Sequence, residues 1–183
     1  MPQSLPTATD QGADAPRSPE RYWLITWRTY GSWLPGDERG FVSPVRDQHG
    51  VEVIHNIPGM AYDADMPKLK RYAKSQLKCD SIRLVLAQAE CLLDQFHETS
   101  RYRGWQLFAV AVMADHVHVV VGVTGDPDPS DILGDLKSYG SRSLNKKWTK
   151  LKSETWWAES GSKRKLPTPD AVLAAINYVI EQE

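Results

Sequence analysis

The chain has 183 residues, 41% of them hydrophobic, which is enough for one domain with a sizeable core. Its 22 Lys and Arg stand against 23 Asp and Glu, a formal net charge of −1, so any nucleic-acid surface must be a local concentration of positive charge. Cys79 and Cys91 are too few for a secreted disulfide framework and form no C-x-x-C pair. The sequence also shows no apolar run long enough for a membrane span and no signal peptide, so a cytoplasmic protein without a membrane partner is expected.

Residues 1–20 hold four of the twelve prolines and few large apolar side chains, the composition of a disordered tail. Residues 21–183 are expected to form the domain. YWLITWRTY, from Tyr22, reads as a first strand with Trp23, Ile25 and Trp27 on one face. Residues 31–67 carry Gly, Pro and Asp punctuation without periodicity, the pattern of a long inserted loop. Between Pro67 and Arg103 the prolines stop, and Ile82, Leu84, Val85, Leu86, Ala89, Leu92, Leu93 and Phe96 recur near helical spacing. This predicts one long helix, capped by Asp80 or Ser81 and stopped by Gly104.

WQLFAVAVMADHVHVVVGV then reads as two β-branched strands split at Ala114-Asp115. A second helix is predicted from about Ser130 to Lys147. TWWAESGSKRKL reads as a short strand, a Ser-Gly-Ser turn and a second extended piece. Thr168-Pro169-Asp170 gives the N-cap, N1 proline and first-turn acid of a last helix. The order strand, helix, strand, strand, helix, strand, helix predicts an α+β fold, a sandwich of helices against a mainly antiparallel sheet.

His116-Val117-His118 is the sharpest chemical feature. On a strand the two histidines face one way, with Cα atoms roughly 6.6 Å apart, so both imidazoles can converge on one ion. Two polar residues on a half-exposed strand would look the same, and neither cysteine offers a zinc-like spacing. Tyr178 and Gln182, four apart on the last helix, would share one face. Spacing alone favours a core tyrosine beside Ile176 and Val179. Tyr139 is a rival nucleophile, but Ser143 follows it by four and Gly140 interrupts the helix.

VMADHVHVVVGV, followed by DLKSYGSRSLN, a WW segment and AAINYVIEQE, resembles the single-tyrosine HUH transposases, in particular their REP-associated tyrosine transposase branch. The resemblance runs from about Tyr22 to Gln182. It implies a ferredoxin-like α+β sandwich and a divalent metal, Mg²⁺ or Mn²⁺, bound by His116, His118 and Gln182. It also implies that Tyr178 attacks single-stranded or hairpin DNA, forming a 5′-phosphotyrosine and releasing a 3′ hydroxyl; a homodimer is compatible with it. Two other functions stay open: a DNA-binding module on the same fold without chemistry, and a metal-dependent phosphodiesterase that uses water.

DNA contacts are expected where basic and aromatic residues interleave. Lys137, Arg142, Lys146, Lys147, Lys150, Lys152, Lys163, Arg164 and Lys165 face only Glu154 and Glu159 in that stretch, and Trp148, Trp156 and Trp157 lie among them. Cations track phosphates, and indoles stack on unpaired bases. A solvated helix end beside core tryptophans would give the same pattern. Lys68, Lys70, Arg71, Lys74 and Lys78 form a second basic group before the long helix.

Overall fold

The computed structural model describes residues 18–37, 44–46, 52–54, 66–149 and 151–182. Residues 1–17 of the expected 1–20 tail, much of the 31–67 insertion, and Lys150 lie outside them. Four strands form one antiparallel sheet in the order β4-β5-β1-β6, from β1 (Arg21–Thr29), β4 (Gln106–Val112), β5 (His116–Val123) and β6 (Trp157–Lys165). Within the 31–67 stretch, β2 (Pro44–Arg46) and β3 (Glu52–Ile54) pair as a separate two-stranded ladder. The helices are α1 (Pro67–Ser75), α2 (Leu86–Arg103), α3 (Pro129–Lys147) and α4 (Pro169–Ile180). This is the α+β sandwich that the sequence predicts.

Strand alternation divides the sheet into two faces. Ile25, Trp27, Val117, Val119 and Val121 face α2 and α3, where they are buried with Leu92, Phe96, Ile132, Leu136 and Leu144. Trp27 meets Phe96 and Trp157 edge-on, at centroid distances of 5.5 and 6.0 Å, the geometry that aromatic quadrupoles favour. The opposite face carries Tyr22, Leu24 and Val120, packed against Ala175 and Val179 of α4. A register shift between Leu107 and Ala109 lets Phe108 and Ala109 both join that second cluster. One sheet is thus covered on both sides, and among the described helices it is α4 that packs on the face that bears the histidines.

Three local expectations differ. The predicted long helix is two helices, because residues 81–85 are not helical and spend their backbone groups elsewhere. The Ile82 N–H donates to Tyr30 O (2.9 Å) and the Leu84 N–H to Ala114 O (2.6 Å), while Thr29 Oγ1 donates to Ile82 O (2.7 Å). The N-cap of α2 is therefore Val85, whose N–H donates to Gln88 Oε1. Helix α3 starts one residue early, at Pro129, with Asp128 as its N-cap, the carboxylate accepting the Ser130 N–H at 2.7 Å. The Ser-Gly-Ser segment is no turn: β6 runs unbroken past Gly161, paired with Trp27. A Cβ at Gly161 would sit 2.8 Å from Thr26 O, so glycine is what allows β6 to lie this close to β1.

Helix α4 follows its signals closely. Thr168 Oγ1 accepts the Ala171 N–H at 3.2 Å, Pro169 stands at the start and Asp170 lies in the first turn.

Candidate active site

The site is built where β1 and β5 pair on the α4 face. The ladder sets Thr26 opposite His118 and Arg28 opposite His116, and alternation turns all four side chains away from the valine core. The two imidazoles lie edge to face, centroids 4.8 Å apart. Near its C-terminal end, α4 brings Tyr178 over them, its ring centroid 5.2 Å from that of His118 with planes at 79°. Tyr178 is 44% exposed. Its ring is thus both beside a histidine and open to a ligand.

Hydrogen bonding engages one nitrogen of each imidazole. His116 Nδ1 lies 2.7 Å from Asp115 Oδ1; a carboxylate only accepts, so Nδ1 donates and the lone pair of the neutral ring is on Nε2. His118 Nδ1 lies 2.7 Å from Thr26 Oγ1. Rings oriented at Nδ1 by a carboxylate or hydroxyl, with Nε2 left over, are the arrangement of metal-ligating histidines. Burial pushes the His118 imidazole down to about 4, with the His116 and Arg28 charges adding to the effect. Burial alone would raise the Asp115 carboxyl, but its hydrogen bond to His116 and the charges of His116, Arg28 and Arg83 hold it below the usual carboxylate value. His118 is therefore unprotonated at neutral pH and able to act as a Lewis base.

Among the described residues no cluster of three or more His, Cys, Asp or Glu is placed to hold a metal. Gln182 follows α4 in its terminal turn, its N–H donating to Val179 O at 3.2 Å, one turn beyond Tyr178. Tyr139 lies elsewhere. Helix α3 packs Leu136 and Leu144 into the cluster on the opposite side of the sheet, which separates Tyr139 from the histidines.

The basic and aromatic stretch divides. Trp156 and Trp157 are 3% and 5% exposed, and their indole N–H groups donate to Asn145 Oδ1 (2.8 Å) and Lys137 O (3.0 Å). They belong to the core, which corrects the expectation that they stack on bases. Trp148 is partly buried against the same cluster. Lys137 is a strap, donating to the carbonyls of Ala158, Glu159 and Ser160 within 3.1 Å. Burial and the charge of Lys163 lower its ammonium to about 8, against the pull of Glu159, so it too is corrected from a phosphate contact to a structural group. Arg142 lies 5.2 Å from the Tyr139 ring centroid, and Lys163 donates to Ser130 Oγ of α3 at 3.0 Å. Lys146, Lys147, Lys152 and Lys165 are exposed. On β6, Arg164 pairs with Leu24 and so shares the histidine face, whereas Lys163 and Lys165 pair with Ile25 and Trp23 and face α3.

Of the second basic group, Lys70, Lys74 and Lys78 line a cleft of about 740 Å³ with Lys152, Asp37 and Asp80. Lys70 pairs with Asp37 (3.3 Å) and Lys78 with Glu154 (2.6 Å). Thr26, Arg28 and Asp115 are site residues the sequence reading passes over. Asp115 is detectable as the residue beside the first histidine; Thr26 and Arg28 become visible only once the β1–β5 register is known.

Residues 83–162 match the family described as Transposase IS200 like. No curated protein sequence matches the chain. Among solved structures, a REP-associated tyrosine transposase bound to a REP hairpin is similar in fold: TM-score 0.51, 13% identity, covering 90% of this chain and 67% of that one. A transposase from Deinococcus radiodurans R1 gives a TM-score of 0.44 and 18% identity, covering 88% of each chain. Among the described residues no helix is long and apolar enough to cross a membrane.

Proposed function

From the match of residues 83–162 to the family described as Transposase IS200 like, we propose that this chain nicks and rejoins single-stranded or hairpin DNA through a covalent 5′-phosphotyrosine at Tyr178. The observation that carries the reading is the convergence of Tyr178, His118 and His116 on one sheet face, with ring centroids 5.2 and 4.8 Å apart in sequence of contact. His116, His118 and Gln182 would hold Mg²⁺ or Mn²⁺, whose chemistry when bound is to polarise a non-bridging phosphate oxygen. Imidazole nitrogen beside amide oxygen suits Mn²⁺ best of the two.

The Tyr178 oxygen attacks phosphorus in line, the bond to the 3′ oxygen breaks, and the phenolic proton lost is balanced by the proton the 3′ hydroxyl gains. The phosphodiester energy is kept in the tyrosyl ester, so the reverse attack by a 3′ hydroxyl rejoins the strand. The half-exposed ring leaves room for a nucleotide chain. Support for a hairpin substrate comes from the fold shared with the REP-hairpin-bound transposase.

The test incubates the protein and Tyr178→Phe with labelled hairpin-bearing single strands and Mn²⁺, resolved on a denaturing gel. An adduct formed by the wild type and absent from Tyr178→Phe is expected. A mobility shift without cleavage would mark a binding module instead, and a free 5′ phosphate a water-using phosphodiesterase.

A further inference from the structure

Among the described helices, α1 alone buries none of its residues. It carries Lys68, Lys70, Arg71 and Lys74 and no acid. Lys70 and Lys74 stand four apart and Lys68 and Arg71 three apart, so like charges meet along its surface and weaken the helix. Core burial does not offset that cost, as it does for the other three helices. What holds α1 is the 31–37 segment. Gly36, at φ +83°, comes so near that a Cβ there would stand 2.5 Å from Met66 O; Lys70 pairs with Asp37 at 3.3 Å; and the Lys78 N–H, just beyond the helix, donates to Tyr30 Oη at 2.8 Å. The cleft of about 740 Å³ opens here, and Lys152, from the segment joining α3 to β6, lines it together with Lys70, Lys74 and Lys78. No aromatic side chain is among its described lining residues. Lys74 and Lys152 are exposed and make no ion pair among the described residues. The Lys78–Glu154 pair is open to water, its side chains 60% and 66% exposed, and a pair of that kind is weak enough for a phosphate to displace. The cleft adjoins the candidate active site: Ser32, which lines it, donates through Oγ to Asp115 O at 3.0 Å, and Asp115 Oδ1 lies 2.7 Å from His116 Nδ1.

We propose that this cleft and the exposed face of α1 form a docking surface for the paired stem of a hairpin substrate, the lysines gripping the phosphates of one of its strands beside the histidine face. The proposal rests on the reading that the substrate is hairpin DNA, and it is independent of which residue attacks it. A helix that buries nothing and sets like charges against one another is accounted for by a polyanion, which relieves the repulsion when it binds. Cations without rings suit a duplex. Its bases are already stacked, so indoles and phenols have no unpaired base to cover, and its phosphates face outward at a higher charge density than those of a single strand. An ammonium is a compact point charge that holds a phosphate without reading sequence. Leu69 of α1 and Leu77 just beyond it are turned toward Gly36 and Gly31, so the aliphatic side of this basic segment is taken by the protein and is not free to enter a lipid surface. Helix α1 and its lysines precede residue 83, where the family match begins, so the grip is a feature of this chain that the match does not carry.

The experiment measures equilibrium binding by fluorescence anisotropy in chelator, in the Tyr178→Phe background so that no bond is made or broken. The probes are a hairpin-bearing strand and an unpaired strand of equal length, each titrated from about 50 to about 200 mM salt. Lys74→Gln, Lys152→Gln and the double variant are compared with the parent, and Arg101→Gln, an exposed cation in the last turn of α2, serves as the control; Tm values confirm that all are folded. Each lysine variant should weaken hairpin binding several-fold and reduce its salt slope by about 1, the double variant by about 2, with much smaller effects on the unpaired strand. Arg101→Gln should change neither. Hairpin affinity and slope equal to the parent in the double variant overturn the proposal, as does an equal proportional loss on both probes or an Arg101→Gln loss of the same size. Displacement of the hairpin by poly-glutamate but not by an unrelated duplex would assign the cleft to an acidic polypeptide and overturn it too. A wild type that forms the Tyr178 adduct while the lysine variants bind as the parent leaves the nuclease reading standing and removes only the docking surface; a parent that binds no hairpin removes both.

Discussion

The ring of Tyr178 stands edge-on to the ring of His118, centroids 5.2 Å apart and planes at 79°. The two residues come from elements far apart in the chain, β5 and α4, and they meet because α4 is the helix that covers the histidine face. His118 is held from below as well. Thr26 Oγ1, 2.7 Å from its Nδ1, fixes the plane in which the other nitrogen points.

That hydroxyl gives the first prediction. Thr26→Val preserves the shape of the strand and removes the partner of His118 Nδ1, so metal affinity or activity should fall about 10- to 100-fold. Calorimetric titration of Mn²⁺ into the wild type and the variant, with thermal midpoints for both, checks this. Unchanged affinity at unchanged stability would separate Thr26 from the site.

Trp156, Trp157 and Lys137 should behave as structural residues. Each tryptophan replaced by Ala should cost about 3–5 kcal/mol of stability, and Lys137→Ala about 1–3 kcal/mol through the carbonyls it leaves unpaired. Urea unfolding reads the losses. Binding of folded protein to matched single-stranded and duplex probes at fixed salt should show no altered strand preference. A selective loss of single-strand binding in a variant of normal stability would return that residue to the DNA surface.

The depressed His118 value sets a pH dependence on the stability of the metal-free protein. The unfolded imidazole takes up a proton near 6.5, whereas burial delays uptake in the folded chain to about 4. Between those values the unfolded state binds more protons, so stability is complete above about 6.5 and declines as the pH falls toward about 4. The full loss is on the order of 3 kcal/mol. Asp115, already below its ordinary 3.8, contributes only at more acid pH. Urea unfolding in chelator from pH 7.5 to 4.5 should show the decline, and His118→Gln should flatten it. A wild-type profile as flat as that of the variant would contradict the burial of His118.

The histidine pair was legible in sequence because β-branched neighbours force a strand, and a strand sends residues two apart to the same face. Helix α4 was equally plain, since Thr168, Pro169 and Asp170 act locally on the backbone next to them. What depended on partners distant in sequence was not. Ile82 and Leu84 have helical-looking spacing, but carbonyls of Tyr30 and Ala114 capture their N–H groups and keep 81–85 out of a helix. Trp156 and Trp157 sit among lysines in the sequence whether their rings point inward or outward, and the pairing of Thr29 with Trp157 decides for the core. Arg28 becomes part of the site only through a register that spans 88 residues, from Arg28 to His116.

The central claim, that Tyr178 is the nucleophile, is tested most directly by locating the covalent bond. Adduct formed with a hairpin-bearing single strand and Mn²⁺ is digested with nuclease and trypsin, and the nucleotide-bearing peptide is sequenced by mass spectrometry. Cleavage after Lys165 releases residues 166–183, whose one tyrosine is Tyr178, whereas Tyr139 falls in residues 138–142. The account predicts a nucleotide linked through its 5′ phosphate to Tyr178 in the first peptide; a nucleotide on residues 138–142, or cleaved DNA with no modified peptide, would contradict it.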